Sequence, residues 1–169
     1  MKKVLLAALI TLVGVGNVWA EDCITINDGQ SAYRCTATVF NDSGSTLTSG
    51  TTVVWDQADT DFNTSGRPYV ITSTTADDPW TAGVIQDASC ADQSLCTIVT
   101  RGIVQLLLAN STDDSAVDTL IGTTTVAGQA GDYATGANTC ALGRLVDFVS
   151  TESATDGILG RVFVDVDCD

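Results

Sequence analysis

Apolar and polar residues alternate along much of the chain, a pattern that predicts strands. The segment from Val162 to Asp167 shows it most clearly, because its three valines fall on one face while Asp165 and Asp167 fall on the other. Further strands are predicted where residues rich in Val, Ile and Thr follow turn residues. These segments are 51–55, 69–72, 82–85 and 97–108, the last interrupted at Arg101-Gly102 by a bulge or tight bend.

Turn residues recur every ten or so positions, which sets the expected fold class. Short strands at this spacing predict an all-β protein, a compact β-barrel or β-sandwich of short antiparallel strands. Only Ser115 to Ile121 could form a helical turn or two. Residues 21–48 are polar, rich in cysteine and rich in turn residues, so we expect an N-terminal arm or edge hairpin tied to the body by Cys23 and Cys35. The β-barrel or sandwich domain then spans 49–169.

The first twenty residues have the layout of a secretory signal peptide. Lys2 and Lys3 precede an apolar run from Val4 to Val15, and Val18-Trp19-Ala20 ends on a small residue. The apolar run is shorter than the ~20 residues that a membrane span requires. We therefore predict cleavage after Ala20 and export through the Sec pathway to the cell surface or the extracellular space, without membrane insertion after cleavage.

All six cysteines follow this segment. An even number in an exported chain predicts three disulfides and no free thiol. The sequence cannot choose among the pairings with certainty, but proximity favours Cys90–Cys96 and then Cys23–Cys35, which leaves Cys140 and Cys168.

Charge narrows the range of partners. Residues 21–169 contain five arginines, no lysine and twenty-one carboxylates, a net charge of −16. Such a field repels phosphate backbones and anionic lipid, so we expect neither nucleic acid nor a membrane surface as partner.

Several kinds of catalysis lack the residues they need. The chain has no histidine, and therefore no imidazole base. Without lysine beyond position 20, a Schiff base or a lysine-activated serine is excluded. A pair of carboxylates remains the one route to an enzyme.

One acidic segment, Asp59 to Gly66, is a candidate calcium loop. Asp59, Asp61 and Asn63 place oxygen ligands at alternating positions, as at the start of an EF-hand. Thr64 stands where that motif needs glycine, and Val70 where it needs the closing glutamate. The alternatives are a looser Ca²⁺ site or solvated turn residues, and no other cofactor is expected.

Three residues are candidate contacts with other molecules. The Leu-Gly-Arg motif occurs twice, at 142–144 and at 159–161, and places Arg144 and Arg161 at matching positions. The repetition indicates either two equivalent strands or a chance similarity between two strands. Either arginine could recognise a carboxylate of another subunit or pair within its own. Trp80 follows Pro79 and is either a core residue or an exposed contact anchor.

A series of short sequence motifs runs from Ser49 to Asp167. In order they are Ser49-Gly50-Thr51, Ala82-Gly83-Val84, Thr100-Arg101-Gly102, Ile121-Gly122, Leu142-Gly143-Arg144 and a last strand led by Gly160. This order resembles the small β-barrel decoration (cement) proteins of tailed-phage capsids. The resemblance implies a barrel that adds a layer to a protein lattice and catalyses nothing. A signal peptide and disulfides depart from that family, whose members assemble in the cytoplasm.

Three functions remain open from the sequence. The favoured hypothesis is a non-enzymatic structural subunit of an extracellular assembly, such as a surface layer, sheath, filament or decoration protein. It would act by self-association as a homo-oligomer or by binding a protein lattice. The second is a monomeric secreted or periplasmic binding module for Ca²⁺ or a glycan. The third is an enzyme that uses only carboxylates.

Overall fold

Ten strands and no helix make up the part of the chain that the computed structural model describes, namely residues 22–27, 31–58, 68–109, 117–134, 139–148 and 158–168. The all-β prediction is confirmed, and the pairing closes five strands into a barrel. The strands are β1 (Asp22–Asn27), β2 (Ser31–Asn41), β3 (Thr52–Trp55), β4 (Tyr69–Ile71), β5 (Thr81–Ile85), β6 (Leu95–Leu108), β7 (Leu120–Thr123), β8 (Ala130–Asp132), β9 (Cys140–Phe148) and β10 (Ile158–Cys168).

Strand pairing traces two closed rings that share β6. The first ring runs β2-β4-β3-β5-β6 and returns to β2, and the second runs β6-β10-β9-β7-β8 and returns to β6. Most neighbours are antiparallel, while the β2–β4 and β6–β8 pairs are parallel. Ring closure satisfies backbone groups that would otherwise remain at a sheet edge. Strand β1, which pairs with β2, lies outside both rings.

The long strand β6 joins the rings because it changes neighbours halfway along. Its first half pairs with β2 and β5, and its second half pairs with β10. The change falls at Arg101, which lies opposite Cys35 on one side and Asp165 on the other. Next to it, Gly102 has a φ of 115°, a conformation that favours glycine. The interruption predicted at Arg101-Gly102 is thus a register shift, where Cys35 pairs with Arg101 and Thr36 with Val99, together with a change of partners within one continuous strand.

Each ring has its own apolar core. Residues of the second ring supply most of one cluster, which includes Leu106, Leu142 and Val162, all fully buried. The other cluster lies in the first ring and includes Val39 and Ile98. Burial of these aliphatic side chains is the main force that fixes the register, because a slip by one residue would expose them.

Two disulfides lie at the first ring and at the hairpin attached to it. Cys23 bonds to Cys35 across the β1–β2 pair, and Cys90 bonds to Cys96. These are the two pairings that proximity favoured. Cys140 is also disulfide-bonded, and Cys168 lies at the register position opposite it on β10.

The β1–β2 hairpin joins the remainder of the molecule through its second strand. Main-chain pairing runs along β2 from Cys35 to Phe40 against β6, and Val39 is fully buried. The Cys23–Cys35 bond joins two residues of the hairpin itself. The hairpin is therefore attached to the first ring by the pairing of β2 with β6, and not by this disulfide. The division into an arm at 21–48 and a domain at 49–169 stays a prediction.

A buried amide fixes the loop that follows β2. The side chain of Asn41 donates to the carbonyl oxygens of Ser45, Cys90 and Ala91 at 2.8–3.1 Å, while its own oxygen accepts from the Ser43 amide. These bonds hold the loop against the segment closed by the Cys90–Cys96 disulfide.

The predicted helical turn over Ser115 to Ile121 is wrong in its described part. Leu120 and Ile121 begin β7, where they pair with Arg144 and Gly143 of β9. The predicted signal peptide, residues 1–20, lies outside the described residues. Within those residues no helix has the length and apolar character needed to cross a membrane.

Candidate interaction surface

The outward side of β6, β10 and β9 is the candidate functional surface. Along β6 and β10 the residues alternate between buried and exposed, so that alternate side chains point away from the core of the second ring. We call this surface the arginine face. It comprises Arg101, Ile103, Gln105 and Leu107 of β6, Leu159, Arg161, Phe163 and Asp165 of β10, and Arg144 and Asp147 of β9.

Register places apolar and charged residues of the arginine face in rows across the three strands. Phe163 lies between Ile103 and Arg144. In the next row, Arg161 lies between Gln105 and Asp147. The glycines of the two Leu-Gly-Arg motifs help to bring these strands together. A Cβ on Gly143 would lie 2.9 Å from the Phe163 carbonyl carbon, so β9 and β10 approach closely there.

Each arginine of the face has an aspartate partner within its own chain. Arg101 lies 3.4 Å from Asp165. Arg161 binds Asp147 through both carboxylate oxygens, with 2.7 Å between Nε and Oδ1. This hydrogen bonding lowers the pKa of Asp147 and raises the pKa of Arg161.

Arg144 takes its partner from the turn before β7. Its guanidinium donates to the Asp118 carbonyl oxygen at 3.0 Å and lies 3.5 Å from the Asp118 carboxylate. The Asp118 amide in turn donates to the Leu145 carbonyl oxygen, which holds the turn beside β9. Exposed ion pairs of this kind add little stability, so their value to the fold alone is small.

The arginine face differs in charge from the chain as a whole. It carries three of the five arginines that follow residue 20, and they are balanced by Asp165 and Asp147 on the face and by Asp118 in the adjoining turn. Residues 21–169 otherwise have a large excess of carboxylates. The face is therefore close to neutral on a strongly acidic protein.

Apolar side chains on the arginine face are exposed to solvent. Ile103 is 46% exposed and Leu159 is 37% exposed, and their register partners Phe163 and Leu107 are half-buried. Aliphatic and aromatic side chains flanked by ion pairs are typical of a contact surface between proteins.

The other predicted contact residue, Trp80, is not on these three strands but in the turn directly before β5. It is 50% exposed, and its amide donates to the Asp78 carboxylate at 2.9 Å. The structure thus brings Arg144 and Arg161 together on one face and leaves Trp80 in a separate loop.

The candidate calcium ligands Asp59, Asp61 and Asn63 lie outside the described residues. Among the residues that are described, no group of three or more His, Cys, Asp or Glu side chains is arranged to hold a metal ion. A calcium site at 59–66 therefore stays a prediction.

Sequence reasoning missed one buried carboxyl group. Asp77 is 6% exposed, its Oδ2 accepts from the Ala134 amide at 2.9 Å, and its Oδ1 has no hydrogen-bond partner. Burial raises the pKa of Asp77, and the bond from Ala134 opposes this rise. The carboxyl group occupies the space where a side chain at position 122 would lie, which is why glycine stands there. No local pattern marks Asp77, because its burial depends on β7 and the segment after β8.

Comparison with known proteins identifies no matching family and no matching curated protein. Among solved structures, the chain is similar to the crystal structure of the head fiber gp8.5 N base in bacteriophage phi29. The TM-score is 0.47 at 14% identity, over 77% of this chain and 94% of that one. This similarity is too distant to carry a functional conclusion, and the resemblance to phage decoration proteins stays a prediction.

Proposed function

We propose that the protein is a non-enzymatic structural subunit of an extracellular assembly, which acts by self-association or by binding a protein lattice. The arginine face supports this proposal most strongly. It joins exposed apolar side chains to arginine–aspartate pairs on a closed β framework. The free energy falls when another protein covers a surface with these properties.

The framework itself suits a structural role outside the cell. Pairing of β6, β10 and β9 within a closed ring holds the face on a fixed framework, so little ordering is needed on binding. Because the chain lacks histidine, and lysine is confined to the first twenty residues, mechanisms that need an imidazole base or a lysine have no residues to use.

A matched pair of substitutions tests the proposal. Ile103 on the arginine face and Val126 in the turn between β7 and β8 are both β-branched and both 46% exposed. We expect Ile103→Ser to weaken assembly and Val126→Ser to leave it unchanged. Size-exclusion chromatography with light scattering and electron microscopy would measure this on the purified, oxidised protein.

The predicted contact residues can be tested in the same assay. Arg144→Ala and Arg161→Ala should weaken assembly while circular dichroism shows a folded chain, and high salt should act in the same direction. Trp80→Ala tests whether the separate loop contributes. A wild-type protein that remains monomeric across salt and Ca²⁺ titrations would overturn self-association and favour the monomeric binding module.

A further inference from the structure

The outward side chains of β10 form a self-complementary series. In order they are Leu159, Arg161, Phe163 and Asp165. A strand rises about 3.4 Å per residue, so Arg161 and Asp165 lie roughly 7 Å to either side of Phe163. One side of Phe163 is thus positive and the other side is negative, at equal distances.

A two-fold axis converts this series into a set of favourable contacts. If a second copy is rotated about an axis that passes over the Phe163 side chain, parallel to the sheet and perpendicular to β10, its β10 faces the first one and runs in the opposite direction. Arg161 of each copy then lies over Asp165 of the other, and the two Phe163 side chains meet at the centre. Contacts related in this way use the same patch on both subunits, as in most symmetric dimers.

The intrachain ion pairs extend these contacts without being broken. Arg161 already binds Asp147, and Asp165 already binds Arg101. A guanidinium group has five N–H donors and a carboxylate accepts several hydrogen bonds, so each group can take a second partner. Charges would then alternate across the interface in the order Asp147, Arg161, Asp165 of the second copy, and Arg101 of the second copy.

The net charge of the chain favours the arginine face, over the rest of the surface, as the place where two copies meet. Two copies of a chain with sixteen excess negative charges beyond residue 20 repel each other over most approaches. The repulsion is smallest where the surface is neutral, and the arginine face is neutral with exposed Ile103 and Leu159. A strongly basic partner would instead be drawn to the acidic remainder of the surface.

From these observations we infer that the arginine face binds the arginine face of a second copy of this chain, with the two β10 strands antiparallel and Phe163 at the centre. This inference rests on the proposed function and specifies its partner. It assigns the interface salt bridges to Arg161 and Asp165, and it places Arg144, bound to Asp118, beside Phe163 at the centre.

Two single substitutions test the inference because each makes the series uniform in sign. Arg161→Asp leaves aspartate at both positions, and Asp165→Arg leaves arginine at both. Each variant alone brings like charges together and should weaken its own dimer by at least about tenfold. An equal mixture brings opposite charges together at both positions, so a heterodimer should form. Sedimentation equilibrium would give the affinities, and native mass spectrometry would identify the heterodimer.

A separate measurement serves as the control for folding. Each substitution also replaces an intrachain ion pair with two like charges, so thermal melting by circular dichroism must show that both variants fold. The variant with alanine at both 161 and 165 should dimerise with an affinity between that of the wild type and those of the charged variants.

The outcomes separate this inference from the proposed function. A heterodimer from two poorly associating variants supports the inference. If the wild type assembles while both variants assemble equally tightly alone, the inference is wrong and the proposed function stands. If the wild type is monomeric, the inference and self-association are both wrong.

Discussion

Substitution of Gly143 by alanine should destabilise the protein strongly. Gly143 lies on β9 opposite Val164 of β10. A Cβ there would stand 2.9 Å from both the Phe163 carbonyl carbon and the Val164 Cα, and closer still to the Phe163 carbonyl oxygen, whereas ordinary contact begins near 3.4 Å. These neighbours are backbone atoms, which cannot rotate away as a flexible side chain does.

Relief of this overlap requires β9 and β10 to separate. Strand β10 is also paired with β6 along eight register positions, so it cannot move without disturbing that ladder as well. Overpacking of a close-packed site costs about 1–3 kcal/mol and occasionally more. We expect about 3 kcal/mol here, because backbone must shift in a closed ring. For a chain of this length that corresponds to a fall in melting temperature of roughly 6–12 °C.

Gly44→Ala provides the control for this prediction. Gly44 is exposed, nothing lies within 4 Å of the position its Cβ would take, and its φ of 72° favours glycine. Alanine there costs only the conformational penalty, about 1 kcal/mol. Thermal unfolding of the oxidised proteins by circular dichroism would compare the two. A fall for Gly143→Ala no larger than that for Gly44→Ala would refute the steric argument.

Two further predictions concern buried groups. Because burial raises the pKa of Asp77, the folded state holds this proton more tightly than the unfolded chain does, so stability falls as pH rises from the unfolded value, about 4, through the folded value. Asp77→Asn removes this titration, and its melting temperature relative to the wild type should therefore increase between about pH 3.5 and pH 7; parallel curves would contradict the assignment. The cysteines should all be oxidised, and alkylation under non-reducing conditions followed by mass spectrometry should add no label, whereas two labelled cysteines would disprove three disulfides.

The sequence alone determined the class of fold and much of its local structure. Strand positions followed from the two-residue period and from turn residues, because side chains of a strand alternate between core and solvent. In β10 this placed Val162 and Val164 in the core and Asp165 outside, as the structure shows. The two described disulfides join cysteines that are close in sequence, so proximity found them.

Other features could be decided only by tertiary structure, because they depend on pairing between distant segments. Leu120 and Ile121 extend as a strand since β9 offers them backbone partners, which overrides a weak local preference for a helical turn. The single strand β6 continues past Gly102 because β10 takes over from β2 as its neighbour.

The candidate interaction surface has the same origin. The repeated Leu-Gly-Arg motif singled out Arg144 and Arg161 in the sequence. No local pattern, however, placed Arg101 beside them or paired each arginine with an aspartate. Register did so, and register is set by burial of the apolar side chains on the opposite side of the same strands, since a shift by one residue would turn that core outward.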